Sequence, residues 1–304
     1  MTASAASPTH GSVNHPRKRR SRGRYVLHAF LIVTSVVWLA PVLWAAYTAL
    51  RPYADTGGAA RGYVSIGGSY GFQNFFDAWT RVDMPKFFLN TMIVVLPAVV
   101  LTLLLASMVA FAVSRYSWRF NLLLLMLFTA GNLLPQQVVI TPLYRMYLAL
   151  PIPKLVSDNG LLYDQYIGII VVHVAFQLGF STFVLSNYMK TLPKELNEAA
   201  VVDGAGVFRT FWEVILPLCR PPLAALATLQ FTWIYNDFFW ALILMVTGDK
   251  RPITSALSGL KGQFFTDNNL VAAGAIIVAL PTLIVFFVLQ KQFIRGLTLG
   301  STKG

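Results

Sequence analysis

Hydrophobic positions in this chain neither alternate nor recur at half-buried spacing; they run in long blocks separated by polar or glycine- and proline-rich stretches. Six blocks stand out, at Tyr25 to Leu50, Phe87 to Val113, Asn121 to Pro142, Tyr166 to Met189, Pro222 to Val246 and Leu270 to Phe293. As helices rising about 1.5 Å per residue, each is long enough to cross about 30 Å of hydrocarbon. The pattern predicts an all-α, polytopic membrane protein with six transmembrane helices, its membrane domain covering residues 25–304.

Composition supports that picture, since 56% of the 304 residues are hydrophobic and 12% are charged, well below the roughly 25% charged content of a soluble domain. A formal net charge of +12 raises nucleic acid as a partner, but the placement of the charge argues otherwise. Arg17, Lys18, Arg19, Arg20, Arg22 and Arg24 crowd just ahead of the first block, where a basic run sets topology. Residues 1–24 therefore read as a basic, disordered cytoplasmic tail, and no nucleic acid is expected. With the amino terminus inside, fifteen basic residues fall on the inner side and nine on the outer, so both termini are expected in the cytoplasm. The first block is too long for a signal-peptide core and ends at Leu50-Arg51-Pro52 without a small-x-small cleavage site, which makes it an uncleaved first span. Cys219 is the only cysteine. That excludes an intrachain disulfide and a cysteine-based zinc site, and leaves the thiol as a small core residue.

Prolines sit within or at the edges of spans, at Pro41, Pro97, Pro135, Pro142 and Pro281. Each removes a backbone donor and tends to kink a helix, which suits a passage that opens and closes, although membrane helices also tolerate proline where neighbours re-satisfy the backbone. The outer connections, Arg51 to Lys86, Leu143 to Gln165 and Thr247 to Asn269, are longer than a bundle needs. Such lengths mark functional or disordered loops.

The inner connection at residues 190–217 is amphipathic. Pro193 suits a first helical turn, with Glu195 and Glu198 at the positive end of the dipole, and the spacing predicts a short helix over Lys194 to Asp203. Gly204 and Gly206 permit a sharp reversal. A second short helix, Phe208 to Ile215, is expected to stop near Pro217. Two short helices around a glycine turn make a compact knob; the alternative is an amphipathic helix lying on the membrane surface.

Glu198-Ala199-Ala200, Gly204, Val214 and Leu216-Pro217 fall at the spacing E-A-A-x(3)-G-x(9)-I-x-L-P, with Val214 in the isoleucine place. On these residues the chain resembles the membrane permease subunits of binding-protein-dependent ABC importers. The resemblance implies that the knob docks into a separate ATPase through Glu198, Ala199, Ala200, Asp203, Gly204, Leu216 and Pro217. It also implies a second permease subunit, an ATPase dimer that uses ATP and Mg, an extracytoplasmic solute-binding protein, and a bacterial or archaeal plasma membrane. Ala272-Ala273-Gly274 through Ala279-Leu280-Pro281 to Arg295-Gly296-Leu297-Thr298 and Lys303-Gly304 is similar to the end of the carbohydrate-importing branch typified by the maltose permease. Asn236-Asp237-Phe238-Phe239-Trp240 is similar to that branch as well, with Tyr235 where Trp is frequent and Ala241 where Pro is. A sugar or oligosaccharide cargo is what this similarity implies.

Asp237 is the acidic residue set deepest in an apolar block, and an intramembrane carboxylate is costly enough to signal a role. Asn236, Asp237, Phe238 and Trp240 are candidates for the passage or its gate; the alternative is that they hold two helices together. His173 is a lone histidine in the fourth span, read as a helix contact rather than a proton relay. No G-x-x-x-x-G-K-[ST] phosphate loop and no nucleophile and base pair occurs, so the chain is not expected to be an enzyme or to bind a cofactor or metal. The rival readings are an ion-coupled secondary transporter, an ABC permease for a non-sugar solute, and a membrane scaffold. The outer loop Thr247 to Asn269 is the expected contact for the binding protein.

Overall fold

The computed structural model describes residues 22–56, 66–81, 83–116, 119–133, 135–260 and 267–298. The basic run Arg17 to Arg20, the tip of the last long loop at residues 261–266 and Lys303-Gly304 lie outside them. Among the described residues the chain is helical, and the only β pairing is one isolated bridge between Pro151 and Leu161.

The helices are α1 (Arg22–Ala49), α2 (Gln73–Arg81), α3 (Met84–Arg115), α4 (Asn121–Leu133), α5 (Ile140–Ala149), α6 (Tyr166–Met189), α7 (Glu195–Val202), α8 (Val207–Leu218), α9 (Arg220–Tyr235), α10 (Phe239–Leu244) and α11 (Asn268–Thr298). In hydrocarbon every backbone N–H and C=O needs a partner within the protein, and a helix supplies it along its own length. Among the described residues four helices, α1, α3, α6 and α11, are long and apolar enough to cross a membrane alone; the bent pairs α4 with α5 and α8 with α9 give up to six if each pair is taken as one span.

The segment up to Ala45 forms a unit by itself, and residues 46–304 form the second. In the first, α1 carries apolar side chains all round, from Tyr25 to Trp44, and they are exposed, as suits a lipid-facing helix. Its Ser35 hydroxyl donates to Leu31 O at 2.7 Å, so the polar atom is satisfied within the helix.

In the second unit α3 packs along α6, α4 lies against α6, and α9 packs against α11. Two buried clusters fill the bundle. One gathers Met84, Val94, Ile169, Tyr235, Trp240, Leu244 and Ile253 at one end; the other gathers Phe111, Leu185, Met189, Phe211, Ile215 and Cys219 at the opposite end of α3 and α6. Cys219 is fully buried in the second cluster.

Two of the expected spans are not continuous. The third, expected over Asn121 to Pro142, stops at α4 and resumes through a 3₁₀ turn at Gln136–Val139 into α5. Pro135 stands directly ahead of that 3₁₀ turn, a position where its missing N–H costs no helical hydrogen bond. The fifth, expected over Pro222 to Val246, breaks between α9 and α10 at residues 236–238. Here Asn236 Nδ2 donates to Thr232 O at 2.8 Å, while the Asp237 carboxylate lies 3.4 and 3.3 Å from the N–H groups of Trp240 and Ala241. These short polar side chains compete locally for main-chain partners and so end one helix and begin the next. Pro41, Pro97 and Pro281, by contrast, lie inside helices.

The connection Arg51 to Lys86 holds α2 and a turn of helix at Tyr53–Thr56. Residues 247–260 are likewise ordered, as short helical turns at Gly248–Lys250, Ile253–Ala256 and Leu257–Leu260.

Candidate functional site

The knob is built by α7 and α8. Its first helix begins after Lys194 and ends in a complete glycine cap, with Ala205 N–H donating to Ala200 O at 2.8 Å and Gly204 N–H to Val201 O at 3.0 Å. Gly204 sits at φ 75°, the left-handed region that glycine occupies without steric penalty. Gly206 then precedes α8, and the Thr210 hydroxyl donates to Gly206 O at 3.1 Å. The second helix starts one residue before Phe208 and continues past Ile215 to Leu218, then meets α9 at 76°. Its middle, Thr210–Ile215, is a π turn in which Leu216 N–H donates to Phe211 O. The wider turn accommodates Pro217, which has no N–H to offer the ladder.

Tip and root differ in character. Val202 is 86% exposed, and Val201, Val207 and Phe208 are also open, so the apex is an apolar cap. Glu198, Ala199, Asp203 and Gly204 are exposed beside it, Ala200 is buried, and Leu216 and Pro217 are half-buried at the root. Phe211 and Ile215 anchor the root in the core, with the Phe211 ring 5.3 Å from Phe111. Arg115, at the end of α3, donates through Nη1 to Leu192 O at 3.2 Å, and the Tyr188 hydroxyl donates to Leu218 O at 3.2 Å. Both ends of the knob are thereby tied to the bundle. Arg115, Tyr188 and Phe111 were not singled out from the sequence; their partners are main-chain groups or rings distant along the chain, which leave no local signal.

The four candidates of the expected passage do not act alike. Asn236 and Phe238 are exposed, Asp237 is half-buried, and Trp240 is buried, its ring 5.4 Å from Phe176. Trp240 is a packing residue in this conformation. Asp237 Oδ2 lies 3.6 Å from His173 Nε2, joining α6 to the break. Further along the same pair of helices, Gln230 Nε2 donates to Ser181 Oγ at 2.8 Å and Phe180 meets Trp233 at 5.5 Å. The contacts of α6 with α9 run antiparallel, from Phe180–Trp233 to Ser181–Gln230.

At this end the loops are bound to the bundle by side chains that sequence reading did not single out. Asn90 Nδ2 donates to Asp249 O and Arg251 O at 2.8 and 3.1 Å, and its Oδ1 accepts from the Tyr166 hydroxyl at 2.7 Å. The Asp164 carboxylate accepts from Val246 N–H at 2.9 Å, Thr247 N–H at 3.0 Å and the Thr247 hydroxyl at 2.6 Å. Lys86 pairs with Asp249 at 3.0 Å, and Lys250 pairs with Asp158. Among the described residues no group of acidic, histidine and cysteine side chains is arranged to hold a metal ion.

Comparison with known proteins places this architecture. The diacetylchitobiose uptake permease of Streptomyces coelicolor is 30% identical over 278 residues, covering 91% of this chain and 88% of that one. The osmoprotective compounds uptake permease of Synechocystis is 30% identical over 306 residues, covering 98% and 99%. Among solved structures, a chain of a bacterial ABC transporter for the acidic polysaccharide alginate superposes with a TM-score of 0.73 at 20% identity, covering 90% of this chain and 98% of that one. The matched family is one of transport subunits rather than enzymes. Residues 11–298 match it throughout, and the chain belongs to the inner membrane components of binding-protein-dependent transport systems.

Proposed function

We propose that this chain forms half of the membrane passage of an ATP-driven importer for a sugar or oligosaccharide, and that the knob at residues 195–218 seats in a separate ATPase. The observation that carries the reading is the knob itself: an apolar, exposed tip on a root fixed in the core. A tip of that kind fits a protein cleft, where burying apolar area stabilises the contact, and an anchored root passes movement of the partner into the bundle. The knob side is assigned to the cytoplasm and loop 247–260 to the outer face, the orientation that follows when the basic run Arg17 to Arg24 ahead of the first apolar block keeps the amino terminus inside. A second permease subunit would complete the passage, the extracytoplasmic binding protein would meet loop 247–260, and Asn236, Asp237 and Phe238 would sit near the outer gate.

Carbohydrate cargo is supported by the names of relatives, diacetylchitobiose for one and alginate for a solved transporter. A non-sugar solute has support from the Synechocystis relative, named for osmoprotective compounds. Ligand screening of the associated binding protein separates the two.

Co-purification tests the coupling. Glu198→Lys reverses charge at the exposed tip, and Gly204→Asp puts a side chain where φ is positive; each is expected to cut ATPase recovery about tenfold or more while the permease stays in the membrane. Unchanged recovery with both variants would discredit the docking role. Uptake that persists after ATP depletion, with ion gradients intact, would favour an ion-coupled carrier built on His173 and Asp237.

A further inference from the structure

The break between α9 and α10 is held from three directions. Its own carboxylate, Asp237, faces the first N–H groups of α10. The Thr254 hydroxyl, from loop 247–260, donates to the carbonyl of Asp237 at 2.5 Å. From α6, His173 Nε2 approaches Asp237 Oδ2 to 3.6 Å, with the two side chains only 7% and 12% exposed.

The third contact is incomplete. His173 Nε2 is buried and has no hydrogen-bond partner among the described residues. An unpaired polar atom in a membrane interior is unfavourable and calls for a specific reason, such as satisfaction in another conformation. The gap is small, since a displacement of under about 1 Å would bring 3.6 Å to ordinary hydrogen-bond length.

Loop 247–260 is positioned to supply that displacement. It is bolted to the bundle where Asn90 holds Asp249 and Arg251, where Thr91 Oγ1 accepts from Ile253 N–H at 2.9 Å, and where Asp164 holds Thr247. A load on so constrained a loop passes into its attachments rather than being lost in loop motion, and Thr254 is the attachment that leads to the break. Beyond the break, α9 runs to the root of the knob at Cys219.

We propose that Thr254 is a positioning residue that transmits contact of the extracytoplasmic binding protein with loop 247–260 to Asp237, and that the displaced break closes the His173–Asp237 gap into a hydrogen bond. The inference rests on the importer reading above. It adds the route by which arrival of loaded binding protein is sensed within this subunit.

The test uses the full complex, this chain with its second permease and ATPase subunits, in lipid nanodiscs. The probe is its binding protein, saturated with the sugar that a thermal-shift screen assigns to it, and the readout is ATP hydrolysis as that protein is titrated. Thr254→Val keeps the shape and removes the donor; maximal stimulation should fall about fivefold, the worth of one hydrogen bond. The half-saturating concentration of binding protein should stay within about twofold, because docking is retained. Thr254→Ser restores the donor and should restore stimulation, His173→Phe should reproduce the loss, and the double variant should be no worse than the weaker single one. Wild-type maximal stimulation in Thr254→Val or His173→Phe overturns the proposal. So does Thr254→Ser as impaired as Thr254→Val, or a loss confined to the half-saturating concentration. A wild-type complex that assembles without its ATPase, or ignores the loaded binding protein, contradicts the importer reading itself.

Discussion

Asn269 shows how single polar residues hold the loop end of the bundle. It is fully buried, its Nδ2 donates to Thr48 O at 3.0 Å and Arg51 O at 2.7 Å, and its Oδ1 accepts from the Thr56 hydroxyl at 2.8 Å. Asn74 makes the matching pair to Ala49 O and Arg51 O at 2.8 and 2.7 Å. Together they satisfy carbonyls left open where α1 ends, the need that every helix terminus has. Asn269→Leu fills the same space but leaves those groups buried and unpaired, so it should cost about 3 kcal/mol. In a thermal melt of the purified protein the midpoint should drop by about 5 °C or more. A midpoint equal to wild type would show that these bonds contribute nothing net. The sequence places Asn269 at the edge of an apolar block and nothing more, because its partners lie as far as 221 positions away. Knob residues are the reverse case: Gly204 and the Glu198-Ala199-Ala200 run are legible because their geometry is local.

At the scale of elements, apolar blocks reveal which segments are helical but not whether they stay straight. Pro97 and Pro281 remain inside long helices while Pro135 stands ahead of a 3₁₀ turn, so a proline in an apolar block does not by itself mark a break. The break at residues 236–238 has no proline at all. Its signal is the adjacent Asn236 and Asp237, candidates from sequence for the passage or for holding two helices together, whose side chains here bond main-chain groups on either side of the break. Close packing sets a second constraint. A Cβ at Gly179 would stand 2.2 Å from Phe128 O, so α4 and α6 meet there backbone to backbone with no room to spare. Gly131, on α4, would place a Cβ within 4 Å of nothing. Gly179→Val is therefore expected to destabilise the protein by about 3 kcal/mol, and Gly131→Ala to stay within about 0.5 kcal/mol of wild type. Thermal midpoints and monodispersity on size-exclusion chromatography check the pair. Equal behaviour of the two variants would mean that α4 and α6 do not meet as described.

At the scale of the molecule, two buried clusters divide the bundle into an end that carries the knob and an end that carries the bound loops. Under the proposed function that division has a purpose, with the ATPase meeting the knob end and the binding protein the loop end. The six apolar blocks made the fold class readable in advance, and the spacing from Glu198 to Pro217 made the two short helices and their glycine turn readable. Ties across the loop end were not readable, because they rest on long-range bonds between side chains and main chain. The central claim is that the knob grips the ATPase, and Val202 at 86% exposure is the place to ask. A photo-crosslinking amino acid there, in the assembled complex, should capture the ATPase subunit, while the same group at Leu155, 95% exposed in the loop end, should not. Capture of the ATPase from position 155, or its absence from position 202 in an actively transporting complex, would contradict the account.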